Sequence, residues 1–459
     1  MKERITYILV SCMLVSCSKS FTDLTPVSQR NVGSFYRNAD DVVLAVNAAY
    51  KALQLNGTYN QSYWVMNEMR SDNTDAGGDL TGLGAELNLI DQFKENAATA
   101  EIITAAYLDS YVGIARCNLV LSRIDAVPMA ENLRNTLKGE ALFLRSLFYY
   151  NLAVDFGKIP LVLKEITVEE GRGLPQVPAA DVYKQLVTDL RQAETFLPLR
   201  KDQPARDLGR ATRGSAAALL GKVLLTMGNK TDAVPVLRKI ITDYGYTLVR
   251  PYSRLWGIAN ENNAESIFEV QFKGGGTNTG NLFTNQFSAI LPNNTGVFKN
   301  GPTINMQAAY EPGDQRLAAS MNPTNGPLSN SRFIIKYGIT SAFNEGDADY
   351  NFIVLRYADV LLMLAEALGE TAESYALINQ VRDRAGLGPI SASTPGTFVD
   401  KLLKERRVEL AFENHRWPDL LRFGKAKEVM EAQGLTPRLL FLIPQRELDL
   451  NRSYTQNPL

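Results

Sequence analysis

Val42, Ala45, Val46, Ala49, Tyr50 and Leu53 recur at the three- and four-residue spacing that lays one apolar stripe along an α-helix. Asn38 is placed to cap that helix, and Asp40 and Asp41 suit its first turn, where unpaired amides favour negative charge. The same periodicity predicts helices over 102–124 and 133–155, with Pro128 in the connector, and over 181–197 with Leu186, Leu190, Ala193 and Leu197 on one face. Within 214–241, Leu220, Val223, Leu224 and Met227 align on one helix, and Ala233, Val236, Leu237, Ile240 and Ile241 on the next. Gly228-Asn229-Lys230 breaks the two apart, Thr231 is positioned as the second cap, and small Ala216, Ala217, Ala218 and Gly221 let them approach closely. Helices over 357–368 and 372–384 repeat the theme, and 398–414 with 418–432 form a last pair.

Paired helices of this kind bury their apolar sides by stacking on neighbours. The arrangement resembles a degenerate tetratricopeptide array, with a generic helical bundle as the plainer alternative. The expected fold class is therefore mainly α, a scaffold of TPR-like helix pairs interrupted by a long irregular insert. That insert, 244–351, has a different composition. Gly274-Gly275-Gly276, Pro292-Asn293-Asn294, Asn300-Gly301-Pro302 and Asn322-Pro323 punctuate it with turns, and asparagine is abundant. A loop region this long is usually functional, so the insert is expected to shape a ligand-facing surface.

The N-terminus adds a location. Lys2, Glu3 and Arg4 precede an apolar run over 5–15, and small Ser16 sits before Cys17. The run is shorter than the ~20 residues a membrane-spanning helix needs. It reads as a secretory leader, and it resembles a bacterial lipoprotein signal in which the mature chain starts at a lipid-modified cysteine, here Cys17. Cys12 also fits the short pattern, but its apolar run is briefer. The expected boundaries are 1–16 leader, 17–243 first helical part, 244–351 insert and 352–459 second helical part, with 17–459 one integrated unit.

Charge and chemistry then narrow the function. Lys and Arg total 48 against 49 Asp and Glu, which gives no electrostatic case for a nucleic-acid partner. Of the 3 cysteines, Cys12 leaves with the leader and Cys17 is acylated, so Cys117 has nothing within the chain to pair with and is expected to be a small buried apolar residue. His415 is the 1 histidine, which removes sites built on paired histidines and disfavours a Ser-His-Asp arrangement. Asp72, Asp75 and Asp79 lack the terminal Glu of an EF-hand loop. No catalytic residue, metal or cofactor is assigned.

Several segments together resemble the SusD/RagB family of Bacteroidetes surface lipoproteins. They are Lys138-Gly139-Glu140-Ala141-Leu142-Phe143-Leu144-Arg145-Ser146 running on to Gly157-Lys158-Ile159-Pro160, then Arg356-Tyr357-Ala358-Asp359-Val360 through Leu364-Ala365-Glu366-Ala367, then Ile378-Asn379-Gln380-Val381-Arg382-Asp383-Arg384-Ala385-Gly386-Leu387. Glu405-Arg406-Arg407-Val408-Glu409-Leu410-Ala411-Phe412-Glu413 with Arg416-Trp417-Pro418-Asp419-Leu420, and Ile443-Pro444 through Gln456-Asn457-Pro458, complete the order. The carboxylates and guanidiniums of these motifs lie among apolar neighbours, and a buried charge must be paired. They read as Arg–Glu ties between stacked helices, against the alternative of a glycosidase carboxylate pair.

The resemblance implies a nutrient-binding lid, lipid-anchored at the outer membrane, that faces the cell exterior and hands an oligosaccharide or other nutrient oligomer to a TonB-dependent transporter. The stretch after Cys17, Ser18-Lys19-Ser20-Phe21, lacks the acidic cluster associated with surface export in that group. A glycan-cleaving helical hydrolase and a periplasmic protein-binding scaffold are the rival readings.

Sugar faces stack on aromatic rings while hydroxyls need carboxamides, carboxylates or guanidiniums. Two stretches supply that mixture. Tyr63 and Trp64 lead into Arg70, Asp72 and Asn73, and the insert supplies Asn281, Phe283 and Asn285, with Asn293 and Asn294 further on. Of these, Tyr63, Trp64, Arg70, Asp72, Asn73, Asn281, Phe283 and Asn285 are the expected ligand-binding residues. Tyr63 and Trp64 suit the core beside the first helix equally well, and Asp72-Asn73 suits a turn.

Overall fold

A computed structural model describes residues 36–76, 81–276, 278–289, 296–328, 331–338 and 346–458. Cys17 and the whole leader, together with Asn293, Asn294 and Asp79, lie outside them. The principal helices are α1 (Ala39–Lys51), α2 (Glu101–Arg123), α3 (Glu131–Phe156), α4 (Ala179–Phe196), α5 (Arg213–Thr226), α6 (Lys230–Asp243), α7 (Tyr357–Leu368), α8 (Ala372–Arg384), α9 (Phe398–Glu409) and α10 (Arg416–Arg422). Each packs on the next in a continuous succession from α1 to α8, and α9 returns to pack on α7. This stacking is what the paired stripes require. The mainly α, TPR-like class stands.

The local chemistry follows the sequence closely at several ends. Asn38 accepts from the Asp41 amide at 3.0 Å and starts α1. Thr212 and Ser215 form a reciprocal capping box on α5. Gly221 lies where α5 crosses α6, and a Cβ there would stand 2.4 Å from Leu237 Cδ2. Other ends differ. Asn229, not Thr231, caps α6, accepting from the Asp232 amide at 3.2 Å.

The helix expected over 398–414 stops at Glu409. Phe412 and Asn414 adopt φ of 67° and 64°, so the chain turns back and aims Glu413 at Arg356. Glu68 holds that turn by accepting from the Phe412 and Asn414 amides at 2.9 and 3.2 Å. Burial pushes its carboxyl up to about 7. The final expected helix splits into α10 and Ala426–Glu431, with Gly424 at φ 67° between them.

The insert is not a detached loop. Its strand β1 (Ser266–Val270) pairs antiparallel with β2 (Phe352–Arg356), the segment entering α7. Apart from a satellite around Phe93, Trp417, Leu420, Ala426 and Met430, one contiguous apolar cluster runs from Val42 to Ile443 through helices and insert alike. Cys117 is buried within it.

Candidate functional site

The motif charges are structural ties, though between partners the sequence did not pair. Arg356 is fully buried and donates to Glu413 Oε2 at 2.7 Å, to Glu265 Oε1 at 2.8 Å and to Glu409 Oε1 at 2.5 Å. Arg316, from the insert, bridges Glu405 at 2.6 Å and Glu409 at 3.0 Å. Arg384 joins Glu265 at 2.8 Å and also reaches Glu409. Burial opposes ionisation of Glu409, but Arg384, Arg356 and Arg316 outweigh it and hold the carboxyl well below its ordinary range. Elsewhere Glu140 pairs with Arg210, Arg145 with Asp189, Glu366 with Arg422 and Arg406 with Asp359 and Asp419. Periodicity shows that such a carboxylate needs a cation. It does not say which one arrives from a distant segment.

The eight residues expected to hold ligand lie inside the protein, between 0 and 3% exposed. This corrects the sequence expectation for Tyr63, Trp64, Arg70, Asp72, Asn73, Asn281, Phe283 and Asn285, because a ring or carboxamide closed to solvent offers a sugar no face. Tyr63 hydrogen-bonds Ser110 at 2.8 Å, and Trp64 meets Phe287 edge-on at 5.1 Å. Arg70 pairs with Glu95 at 2.7 Å, between the rings of Phe93 and Phe441, and burial lowers it to about 10.

Asp72 receives both arms of Arg416 at 2.7 and 2.9 Å and pairs with Arg407 at 3.0 Å. Burial opposes that charge, yet the two arginines keep the carboxyl below its usual value. Asn73 donates to Glu68 at 2.7 Å and accepts from Arg407 at 2.8 Å. Asn281 donates to the Tyr350 carbonyl at 2.7 Å, Phe283 packs against Phe272, Phe287, Tyr337 and Phe352, and the Asn285 carbonyl accepts from Val297 at 2.9 Å. The aromatic–polar mixture was legible. Its direction, inward, was not.

A solvent-facing groove of about 400 Å3 does exist, between α1, the 206–210 loop and β1. Buried Leu53, Phe268 and Val270 form its floor, while exposed Asn47, Lys51 and Arg206 and half-buried Gln54, Gln271 and Thr279 form its rim. Part of the rim is fixed before any ligand arrives. Arg210 chelates Glu140 at 3.0 and 2.5 Å, donates to Asn47 Oδ1 at 2.7 Å and covers the Tyr50 ring at 5.1 Å. Gln54 donates to the Gln271 carbonyl at 2.6 Å, and the Tyr50 hydroxyl accepts from the Ala211 amide at 2.8 Å. Gly209 makes the bend possible: its φ is +94°, and a Cβ would stand 2.6 Å from Gln271. None of the groove residues belonged to the expected ligand set. The one available signal was the polar edge Asn47-Lys51-Gln54, along α1 and the turn just after it, beside the apolar stripe.

Stacked helix pairs with an interwoven insert and an open groove define a helical-repeat scaffold. A sequence model described as the SusD family matches residues 303–438, and another, described as starch-binding associating with outer membrane, matches 35–225. A solved laminarin-binding SusD-like protein is 30% identical, superposes with a TM-score of 0.81, and is covered in full (100%) by 92% of this chain. SusD-like protein P2 of Formosa agariphila is 26% identical over 500 aligned residues, spanning 99% of this chain and 95% of that one. Surface glycan-binding protein A from Bacteroides thetaiotaomicron, solved with laminarihexaose, shares the fold at 23% identity and a TM-score of 0.78, over 91% of this chain and 99% of that one. The chain belongs to the SusD family.

Proposed function

We propose that this protein captures an oligosaccharide in the groove between α1 and β1 and passes it to a TonB-dependent outer-membrane transporter, tethered by acyl chains on Cys17 at the cell exterior. The observation that carries the reading is the groove itself, a largely apolar floor with buried Glu269 under a rim of carboxamides, a hydroxyl and cations, in a chain 30% identical to a laminarin-binding protein. Such a surface suits a ligand with CH-rich faces and many hydroxyls. Binding without bond cleavage fits the motif carboxylates, since Glu405, Glu409 and Glu413 are each committed to guanidinium or ammonium partners.

The test is calorimetric titration of the acyl-free protein with laminarin oligosaccharides and a wider glycan panel. Asn47→Trp, which fills the groove mouth from an exposed position, should weaken the best ligand at least tenfold, about 1.4 kcal/mol. Unchanged affinity in a folded Asn47→Trp variant would refute this site, and release of shortened sugars by the wild type would refute capture without cleavage. Co-purification of the lipidated protein with a transporter barrel tests the partner.

A further inference from the structure

A second chamber, of about 50 Å3, lies at the junction of α3, the 59–67 segment after α1, and the turn leading into α10. Capture in the groove does not use it. Its wall carries buried polar atoms with no hydrogen-bond partner among the described residues: Asn67 Oδ1, Asp155 Oδ1, His415 Nε2 and both amide atoms of Asn414. Asn67, Asp155 and His415 are 6, 1 and 6% exposed. Buried polar atoms are almost always paired, with protein or with water.

The set is mixed in sign. Lys222 Nζ lies 3.0 Å from His415 Nδ1. An ammonium only donates, so Nδ1 accepts and the ring proton sits on Nε2. The Asn414 amide donates as well, while Asn67, Asp155 and the Asn414 oxygen accept. A cation would meet the two N–H donors, and an anion would meet the Glu413 carboxylate. A guest must therefore give and take hydrogen bonds, in a space too small for a sugar ring. Water does both, and the chamber exceeds the roughly 10–15 Å3 that one water needs.

We propose that this chamber is an internal hydration site. Its waters bridge Asn67 and Asp155 to Asn414 and His415, and so add to the direct Glu68 bonds that hold the 412–414 turn on the N-terminal segment. A high-resolution crystal structure of the wild-type protein tests it. At least two ordered waters, each hydrogen-bonded to two of the four side chains, are expected. An empty chamber, side chains closed directly on one another, or an adventitious additive only in that space would overturn the proposal.

Asn67→Leu, close in shape but unable to accept, should lose the water at that position, and oxygen-17 relaxation dispersion should count fewer long-lived waters than in the wild type. Equal counts in a folded variant would also overturn it. The wild-type structure decides the matter even if the variant fails to fold.

Discussion

Replacing Arg356 by methionine removes the hub of the C-terminal charge network while keeping much of the side chain's apolar bulk. Five hydrogen bonds disappear, to Glu413 twice, Glu265, Glu409 and the Glu409 carbonyl. The carboxylates are not stranded, because Glu413 keeps Lys336, Glu265 keeps Arg384, and Glu409 keeps Arg316 and Arg384. Yet three side chains with 0% exposure then share too little positive charge in a site with no access to water. Breaking one side of a buried pair costs about 3–5 kcal/mol. At about 2–4 °C per kcal/mol, or less in a chain this long, the thermal midpoint should fall by roughly 10 °C.

Scanning calorimetry with matched urea titrations reads the loss. Adding Glu413→Gln to Arg356→Met removes one surplus charge and should recover about 1–3 kcal/mol, the range expected of contacting pairs. A single variant within about 1 kcal/mol of wild type, or a double variant less stable than the single, would refute the view that these charges hold the fold through mutual pairing.

Trp64→Ala should cost about 3–5 kcal/mol as a buried aromatic truncation, while glycan affinity of the folded fraction stays unchanged; lost affinity at an intact melting temperature would restore Trp64 as a ligand contact. Gly221→Ala places a methyl 2.4 Å from Leu237 and should destabilise the α5–α6 crossing by about 1–3 kcal/mol in chemical denaturation. Burial, only partly offset by Asn67 and Arg70, pushes Asp155 up to about 8. Between the ordinary value of about 3.9 and that point, the unfolded chain releases this proton while the folded chain keeps it, so stability falls as pH rises, by up to about 1.4 kcal/mol per unit. Asp155→Asn should remove that contribution and gain on wild type from pH 4 to 8 in urea titrations, and an equal slope in both proteins would exclude it.

How much was legible divides along a physical line. The Val42–Leu53 stripe, the Asn38 cap, the close-packing glycine at 221 and the helices Tyr357–Leu368 and Ala372–Arg384 could be read directly, because periodicity, capping and close packing act within a few residues. The need for every motif carboxylate to find a cation was equally legible, since desolvated charge is costly whatever surrounds it.

Distance along the chain hid the rest. Glu140 meets Arg210 seventy residues on, and Asp72 meets Arg416 across 344. No local pattern ranks those arginines above their neighbours. For the same reason Tyr63, Trp64 and Phe283 displayed the composition of a sugar platform while folding inward as core. The groove formed instead from the outer edge of α1, a glycine bend at 209 and a strand some 60 residues later. The sequence by itself determined which segments are helical, which faces are apolar and which charges must be neutralised. Tertiary structure alone decided which polar side chains reach solvent, because exposure depends on everything packed around a residue and nothing within its own helix records it.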